Sequence, residues 1–215
     1  SSMQNIKERE RHASPANRPQ PLAFHESTLW MGSWDTDRLY AIDPKTWKVT
    51  DEVEAPGKPY GLASLGGELR VVVSIGEADD RFLYRFAPGK GFDAASKTPC
   101  PDDTGSSLAT DGTTLYLGQM GLQRVAALDA HDKVTRTIAL PTRCGGIGFG
   151  PGGFYIISAD DEWENVKFAK LDITEDAPDL EPLASIEFDA RALAYDGSAW
   201  WTSNREENEI VAFTV

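Results

Sequence analysis

Apolar residues in this chain fall in short runs separated by polar turns, and one arrangement of runs recurs five times. Each recurrence opens on a small-and-apolar segment: Leu22-Ala23-Phe24, Gly61-Leu62-Ala63-Ser64, Ser107-Leu108-Ala109-Thr110, Gly146-Ile147-Gly148-Phe149 and Ala192-Leu193-Ala194-Tyr195. The anchors Leu22, Leu62, Leu108, Ile147 and Leu193 lie about 40 to 46 positions apart. A second apolar run begins seven residues after each anchor, at Leu29, Leu69, Leu115, Phe154 and Trp200. Turn signals such as Gly66-Gly67, Asp111-Gly112 and Asp196-Gly197 separate the two runs. A third run follows a polar loop (38–43, 82–86, 124–129, 167–172, 209–213), and a more polar fourth comes after it (47–54, within 92–98, 134–140, 183–188). No stretch of helix length carries a 3.6-residue apolar period.

Four short strands in a repeat of about 40 residues predict a propeller blade. The chain therefore reads as all-β, a single five-bladed β-propeller of four-stranded antiparallel blades over residues 1–215. The blades fall near 21–56, 57–101, 102–141, 142–189 and 190–215. The fifth unit ends after three strands, so its outermost strand must come from elsewhere if the ring is to close. Aligning Pro15 with Pro56 and Pro141 brings residues 6–13 into register with the other outer strands, and their charged composition suits a solvated edge. The N-terminus is expected to close the ring.

The run Leu29-Trp30-Met31-Gly32-Ser33 followed by Arg38-Leu39-Tyr40-Ala41-Ile42-Asp43-Pro44-Lys45-Thr46 resembles the blade pattern of YVTN, NHL and related propellers. Gluconolactonase-like proteins, streptogramin B lyases and plant-type glutaminyl cyclases resemble it at the same level, and the five-blade count matches the last best. The resemblance implies fold more than activity. Two residues before the anchors stand Gln20, Tyr60, Ser106, Gly145 and Arg191, without the acid that a gluconolactonase-type calcium site requires. The Phe-Thr-Gln-Gly-Leu and Glu-Gly signatures of glutaminyl cyclases are absent. Neither family's catalytic residues carry over.

Charge narrows the partners. Of 215 residues, Asp and Glu number 34 against 21 Lys and Arg, a formal charge of −13. That surface repels nucleic acid and anionic lipid, and no apolar run approaches the ~18 residues of a membrane span. Residues 1–20 lack the apolar centre of a signal peptide, and the Ser1-Ser2-Met3 opening leaves the compartment open. The expectation is a monomer without metal or cofactor; the glycine run 145–150 leads into a strand, unlike a phosphate loop.

Antiparallel pairing puts the loops before each anchor and those after each second strand on one face, where propeller ligands sit. That face is expected to gather Arg191, Gln20, Tyr60, Ser106, Arg143, Lys58, Trp34 and Asn204, with Arg18 close by. Guanidinium groups beside aromatic rings suit a small anionic or carboxylate-bearing molecule. Three functions stay open: a small-molecule binder at the channel mouth, a lyase or cyclotransferase using Tyr60 or Asp160 for proton transfer, and a protein-interaction platform. Arg191 has a competing structural role, bonded to Asp189. Asp79-Asp80 and Asp160-Asp161-Glu162 read as solvated acidic loops, and His12, His25 and His131 fall away from Cys144, which disfavours a nucleophilic triad. Cys100 and Cys144 precede neighbouring inner strands, so both a bridge and two free thiols are open.

Overall fold

A computed structural model describes residues 3–215. The chain opens with β1 (Lys7–Ala13). Blade 1 is β2 (Pro19–His25), β3 (Thr28–Ser33), β4 (Arg38–Asp43) and β5 (Lys48–Glu54). Blade 2 is β6 (Lys58–Leu65), β7 (Glu68–Ile75), β8 (Asp80–Ala87) and β9 (Gly91–Pro99). Blade 3 is β10 (Leu108–Thr110), β11 (Leu115–Gln119), β12 (Arg124–Leu128) and β13 (Val134–Ala139). Blade 4 is β14 (Arg143–Gly150), β15 (Gly153–Ala159), β16 (Lys167–Leu171) and β17 (Glu181–Ser185). Blade 5 is β18 (Ala194–Tyr195), β19 (Trp200–Asn204) and β20 (Glu209–Thr214), with β1 added outermost. All five sheets are antiparallel, and together they form the five-bladed propeller that the repeat predicts.

The core is a ring of five inter-blade layers. Trp30 and Leu39 of blade 1 pack on Leu62 and Tyr84 of blade 2, and Val72 and Leu83 pack on Leu108 and Leu117 of blade 3. Val125 and Ile138 then meet Ile147 and Ile156 of blade 4, whose Tyr155 and Phe168 meet Trp200 and Phe213 of blade 5. Met31 and Tyr40 against Trp201 and Ile210 complete the circle. Successive residues of a strand point to opposite faces. Both faces of the inner strands are covered, which explains apolar runs such as Leu29-Trp30-Met31 in place of strict alternation.

Ring closure follows expectation. β1 pairs with β20 from Lys7↔Thr214 to Ala13↔Glu209, with a bulge between Glu8 and Glu10. Trp47 of blade 1 latches the joint: its Nε1 donates to Ala13 O at 2.8 Å, and its ring stacks on His12 at 4.1 Å. Arg11 reaches back across the joint to Glu209 at 2.5 Å. Ahead of β1, Ser185 N donates to Gln4 O and Ile6 N to Ser185 O, tying the N-terminus to blade 4 as well. The outer strands β1 and β5 are almost wholly exposed and charged, so the sheet edges they present resist pairing with other chains.

Two details differ from expectation, and one open alternative is decided. The outer strand of blade 4 ends at Ser185; Ile186 N still bonds Val166 O at 2.9 Å, and the chain then bends at 187–188. The innermost strand of blade 5 is reduced to two residues: Ala190 bridges Asn204 and Arg191 N bonds Ser203 O, but residues 191–193 leave regular register. Cys100 and Cys144 are both free and buried, so the bridge is not formed.

Removing residues 1–16 uncovers the edge of β20, whose Ile210, Val211 and Phe213 are fully buried, and strips a ladder of six residue pairs. Exposing one such side chain costs about 1.5–3 kcal/mol and each net hydrogen bond about 1 kcal/mol. The truncated chain should melt well below the full chain in a thermal unfolding experiment. Equal melting temperatures would mean that β1 does not hold the ring.

Candidate functional site

Inner strands enter at one mouth of the channel, and that mouth contains a cavity of about 410 Å³. Every blade contributes to it at equivalent positions. Gln20, Tyr60, Ser106, Gly145 and Arg191, each two residues before an anchor, line its wall. The anchors Leu22, Leu62, Leu108, Ile147 and Leu193 line it deeper, toward the channel, and are buried. Glycine permits this convergence: a Cβ on Gly146 would lie 2.6 Å from the Ala192 carbonyl carbon of the next blade. Gly145 and Gly146 thus serve close backbone approach, whereas Gly148 and Gly150 make room for the Trp200 ring.

Two arginines at the wall are held upright between an aromatic face and an aspartate. The guanidinium of Arg191 lies 3.9 Å from the centroid of Trp163, and its Nε donates to Asp189 Oδ1 at 2.7 Å. Trp163 Nε1 donates to the same oxygen at 2.8 Å, and Arg205 approaches Oδ2 at 3.5 Å. Arg81 lies 3.8 Å over Tyr60, donates through Nε and Nη2 to Asp79, both at 2.9 Å, and gives Nη1 to Gly105 O at 2.6 Å. Aromatic faces attract cations, and the aspartates fix the forks in orientation. The two pairs differ in what they leave free. All three nitrogens of Arg81 are engaged, whereas among the described residues none hydrogen-bonds Nη1 or Nη2 of Arg191.

Between these arginines Trp34 packs on Tyr60 at 4.7 Å. Arg205 lies 4.6 Å from the Trp34 ring, Lys58 5.6 Å and Arg18 5.8 Å, and Arg18 also pairs with Asp35 at 2.5 Å. The mouth of this acidic protein is therefore ringed by cations. Two polar atoms there are shut off from solvent without a hydrogen bond: Gln20 Oε1 and Trp34 Nε1.

Of the residues expected at this face, Gln20, Trp34, Tyr60, Ser106, Arg143 and Arg191 share the cavity. Arg143 is exposed, with Nη1 on Asp161 O at 3.2 Å. Lys58 stays outside the lining, beyond Trp34. Asn204 is also outside; it is buried at the end of β19, and its Oδ1 accepts from Glu207 N at 3.2 Å. Asp160 turns into its own loop, accepting from Glu162 N, Glu164 N and Asn165 Nδ2. Those bonds, that from Glu164 first, hold its carboxyl below the usual range, so it stays ionised and away from the cavity. Sequence reasoning did not find Arg81, which opens a third strand, or Trp163, which lies in the loop after β15. Their only sequence signal is position: starts of third strands share the mouth with starts of first strands.

Burial dominates the titration behaviour of the wall. It raises the Tyr60 phenol despite the nearby Arg81, so the hydroxyl is protonated at neutral pH. It also pushes the Cys144 thiol far up, and that of Cys100 to about 12, leaving both unreactive. Arg191 is lowered by burial and by Arg205, and Asp189 acts against both. Among the described residues no group of three or more His, Cys, Asp or Glu is placed to hold a metal. A cation on the axis beside Gln20 and Ser106 would also face Arg191.

Comparison with known proteins shows the architecture alone. No protein-family model matches the chain, and no curated protein matches it. Among solved structures, the glutaminyl cyclase of Myxococcus xanthus superposes with a TM-score of 0.74 at 11% identity, over 100% of this chain and 98% of that one. A virginiamycin B lyase from Staphylococcus aureus, catalytically inactive and solved with quinupristin, gives 0.58 at 12% identity over 94% and 82%. A PQQ-bound aldose sugar dehydrogenase from Streptomyces coelicolor gives 0.57 at 14% identity over 98% and 81%. These likenesses extend the propeller fold to the whole chain and carry no residue roles.

The Asp79 carboxyl is lowered, chiefly by the hydrogen bond from Arg81. Its contribution to folding is complete above the ordinary carboxylate range and fades as pH falls through that range toward the depressed value. Arg81→Met removes these bonds and the Gly105 carbonyl contact, and should cost about 2 kcal/mol, read as a drop in melting temperature at pH 7. Tyr60→Phe should be nearly neutral, because no described residue hydrogen-bonds the hydroxyl. Equal effects of the two substitutions would contradict the assignment of Arg81 as the framework arginine.

Proposed function

We propose that this protein binds a small carboxylate- or phosphate-bearing molecule at the channel mouth. One observation carries the reading: Arg191, fixed by Asp189 and Trp163, presents Nη1 and Nη2 unpaired at a cavity to which all five blades contribute. A guanidinium fork so oriented is suited to bidentate recognition of an oxyanion. Arg143 adds a second cation from the neighbouring blade. The acidity of the rest of the chain repels large polyanions while a small anion reaches the mouth.

The glutaminyl cyclase and lyase among the structural neighbours keep an enzymatic reading in view. The lining supports it less. Among the described residues of the cavity none is Asp, Glu or His, and the Tyr60 and Cys144 groups are both raised. A lyase or cyclotransferase at this site would rest on Tyr60 as a proton donor and would have no base beside it. A protein-interaction platform has weaker support still, because the exposed large apolar residues Val49 of β5, Leu122 and Val134 of blade 3 and Val215 after β20 lie on different blades.

Calorimetric titration of small carboxylates and phosphates into the protein should reveal saturable binding at one site. Arg191→Ala should weaken it at least about tenfold, the scale of one charged hydrogen bond, while leaving the secondary structure unchanged by circular dichroism. If no anion binds the wild type and Arg191→Ala simply lowers the melting temperature, Arg191 is a structural partner of Asp189 and the proposal is wrong.

A further inference from the structure

The mouth leaves over one hydrogen-bond acceptor and one donor, and both come from blade 1. Gln20 Oε1 and Trp34 Nε1 have no partner and no access to solvent. The two residues flank the Pro19↔Ser33 pair that joins β2 to β3, and both line the cavity. Buried polar groups are ordinarily paired, and a cluster of unpaired ones calls for a partner that the chain does not supply. Blade 5 borders this pair. Arg191 offers its open fork, and Ser203 Oγ of β19, bonded to Gln20 O at 2.8 Å, ties the second strand of blade 5 to the inner strand of blade 1. Deeper in the cavity lie the aliphatic anchors.

From this arrangement we infer that the ligand is an N-acyl amino acid with an apolar side chain. The inference rests on the anion-binding reading of the mouth and specifies its ligand. A secondary amide brings one N–H and one carbonyl, the complement of the Gln20 acceptor and the Trp34 donor. Both atoms are covered in this structure, so pairing requires the Gln20 amide to turn on its soft terminal torsion and the Trp34 ring to tip toward the cavity. The carboxylate takes the fork of Arg191, and the side chain points toward the anchors. A free amino acid fits worse. Its ammonium would enter a lining that contains Arg81, Arg143 and Arg191 and, among the described residues, no carboxylate. An unsubstituted fatty acid leaves Gln20 and Trp34 unpaired, and a site with such groups discriminates strongly against analogues that lack the matching atoms.

The test is a matched series titrated calorimetrically into the full chain: N-acetyl-L-leucine, L-leucine, 4-methylpentanoate, N-acetyl-L-leucinamide and the tripeptide Ala-Ala-Leu. N-acetyl-L-leucine should bind at least about tenfold more tightly than leucine, 4-methylpentanoate or the leucinamide, the scale of one or two hydrogen bonds. The tripeptide distinguishes sources: affinity equal to N-acetyl-L-leucine means that the acyl group is allowed to be a peptide chain, and weaker binding means a free small molecule. Gln20→Leu should bring N-acetyl-L-leucine to within about threefold of 4-methylpentanoate and leave the latter's own affinity unchanged. Gln20→Glu should favour leucine instead, because the new carboxylate receives its ammonium. If the series binds without this preference, or Gln20→Leu leaves the preference intact, the inference fails while anion binding stands. The same holds if other anions bind and no member of the series does. If no anion binds at all, both fall.

Discussion

Each blade of this propeller is apolar on both faces, and that condition governs the rest of the structure. A sheet with Trp30 and Leu39 on one side and Met31 and Tyr40 on the other needs a neighbour on each. Five such sheets satisfy one another only if the last meets the first, because an open arc would expose two apolar faces to water. The β1–β20 ladder completes blade 5 and the Trp47 latch fastens it to blade 1. The whole hydrophobic core is distributed over five layers, so closure contributes to all of them at once.

Closure also creates the candidate site. Arg191 and Gln20 are separated by most of the chain, yet Arg191 leads into β18 and Gln20 lies near the start of β2, adjacent inner strands once blade 5 lies beside blade 1. The same ring places Tyr60, Ser106 and Gly145 at equivalent points around the axis. Local packing then assigns different tasks to similar residues. Arg81 uses all its nitrogens on Asp79 and Gly105 and braces the wall, whereas Arg191 is held by one nitrogen and leaves two open at the cavity. Rigid strands and stacked rings fix these forks in place, the preorganisation that the proposed anion site calls for.

Much of this was legible in the repeat. Anchor spacing located the five blades, and the missing strand of the fifth blade pointed to residues 6–13. Residues two before each anchor were correctly placed at the mouth because they occupy equivalent points of equivalent strands. Residues four before the anchors were harder. Strict alternation would put Arg18 and Lys58 on the same side as Gln20 and Tyr60, but the inner strands carry irregularities at Pro19/Leu22, Pro59/Gly61 and Cys144/Ile147. The irregularities alone do not decide the outcome: Arg18 and Lys58 end outside the lining, whereas Arg143, ahead of the same kind of bulge, lies within it. Arg81 stands at the start of a third strand, outside the anchor repeat, and Trp163 lies in a loop, which no periodicity encodes. Cys100 lies ahead of the inner strand of blade 3 and Cys144 within that of blade 4, yet each is buried in a different inter-blade layer.

The account stands on the open fork of Arg191 at the axis of the closed ring. A crystal structure of the protein grown with a small carboxylate tests that claim most directly. The predicted result is a carboxylate in the cavity with its oxygens on Nη1 and Nη2 of Arg191, the Asp189 and Trp163 contacts being retained. A structure in which those nitrogens are bonded to the protein's own chain, or in which the carboxylate occupies another face, would contradict it.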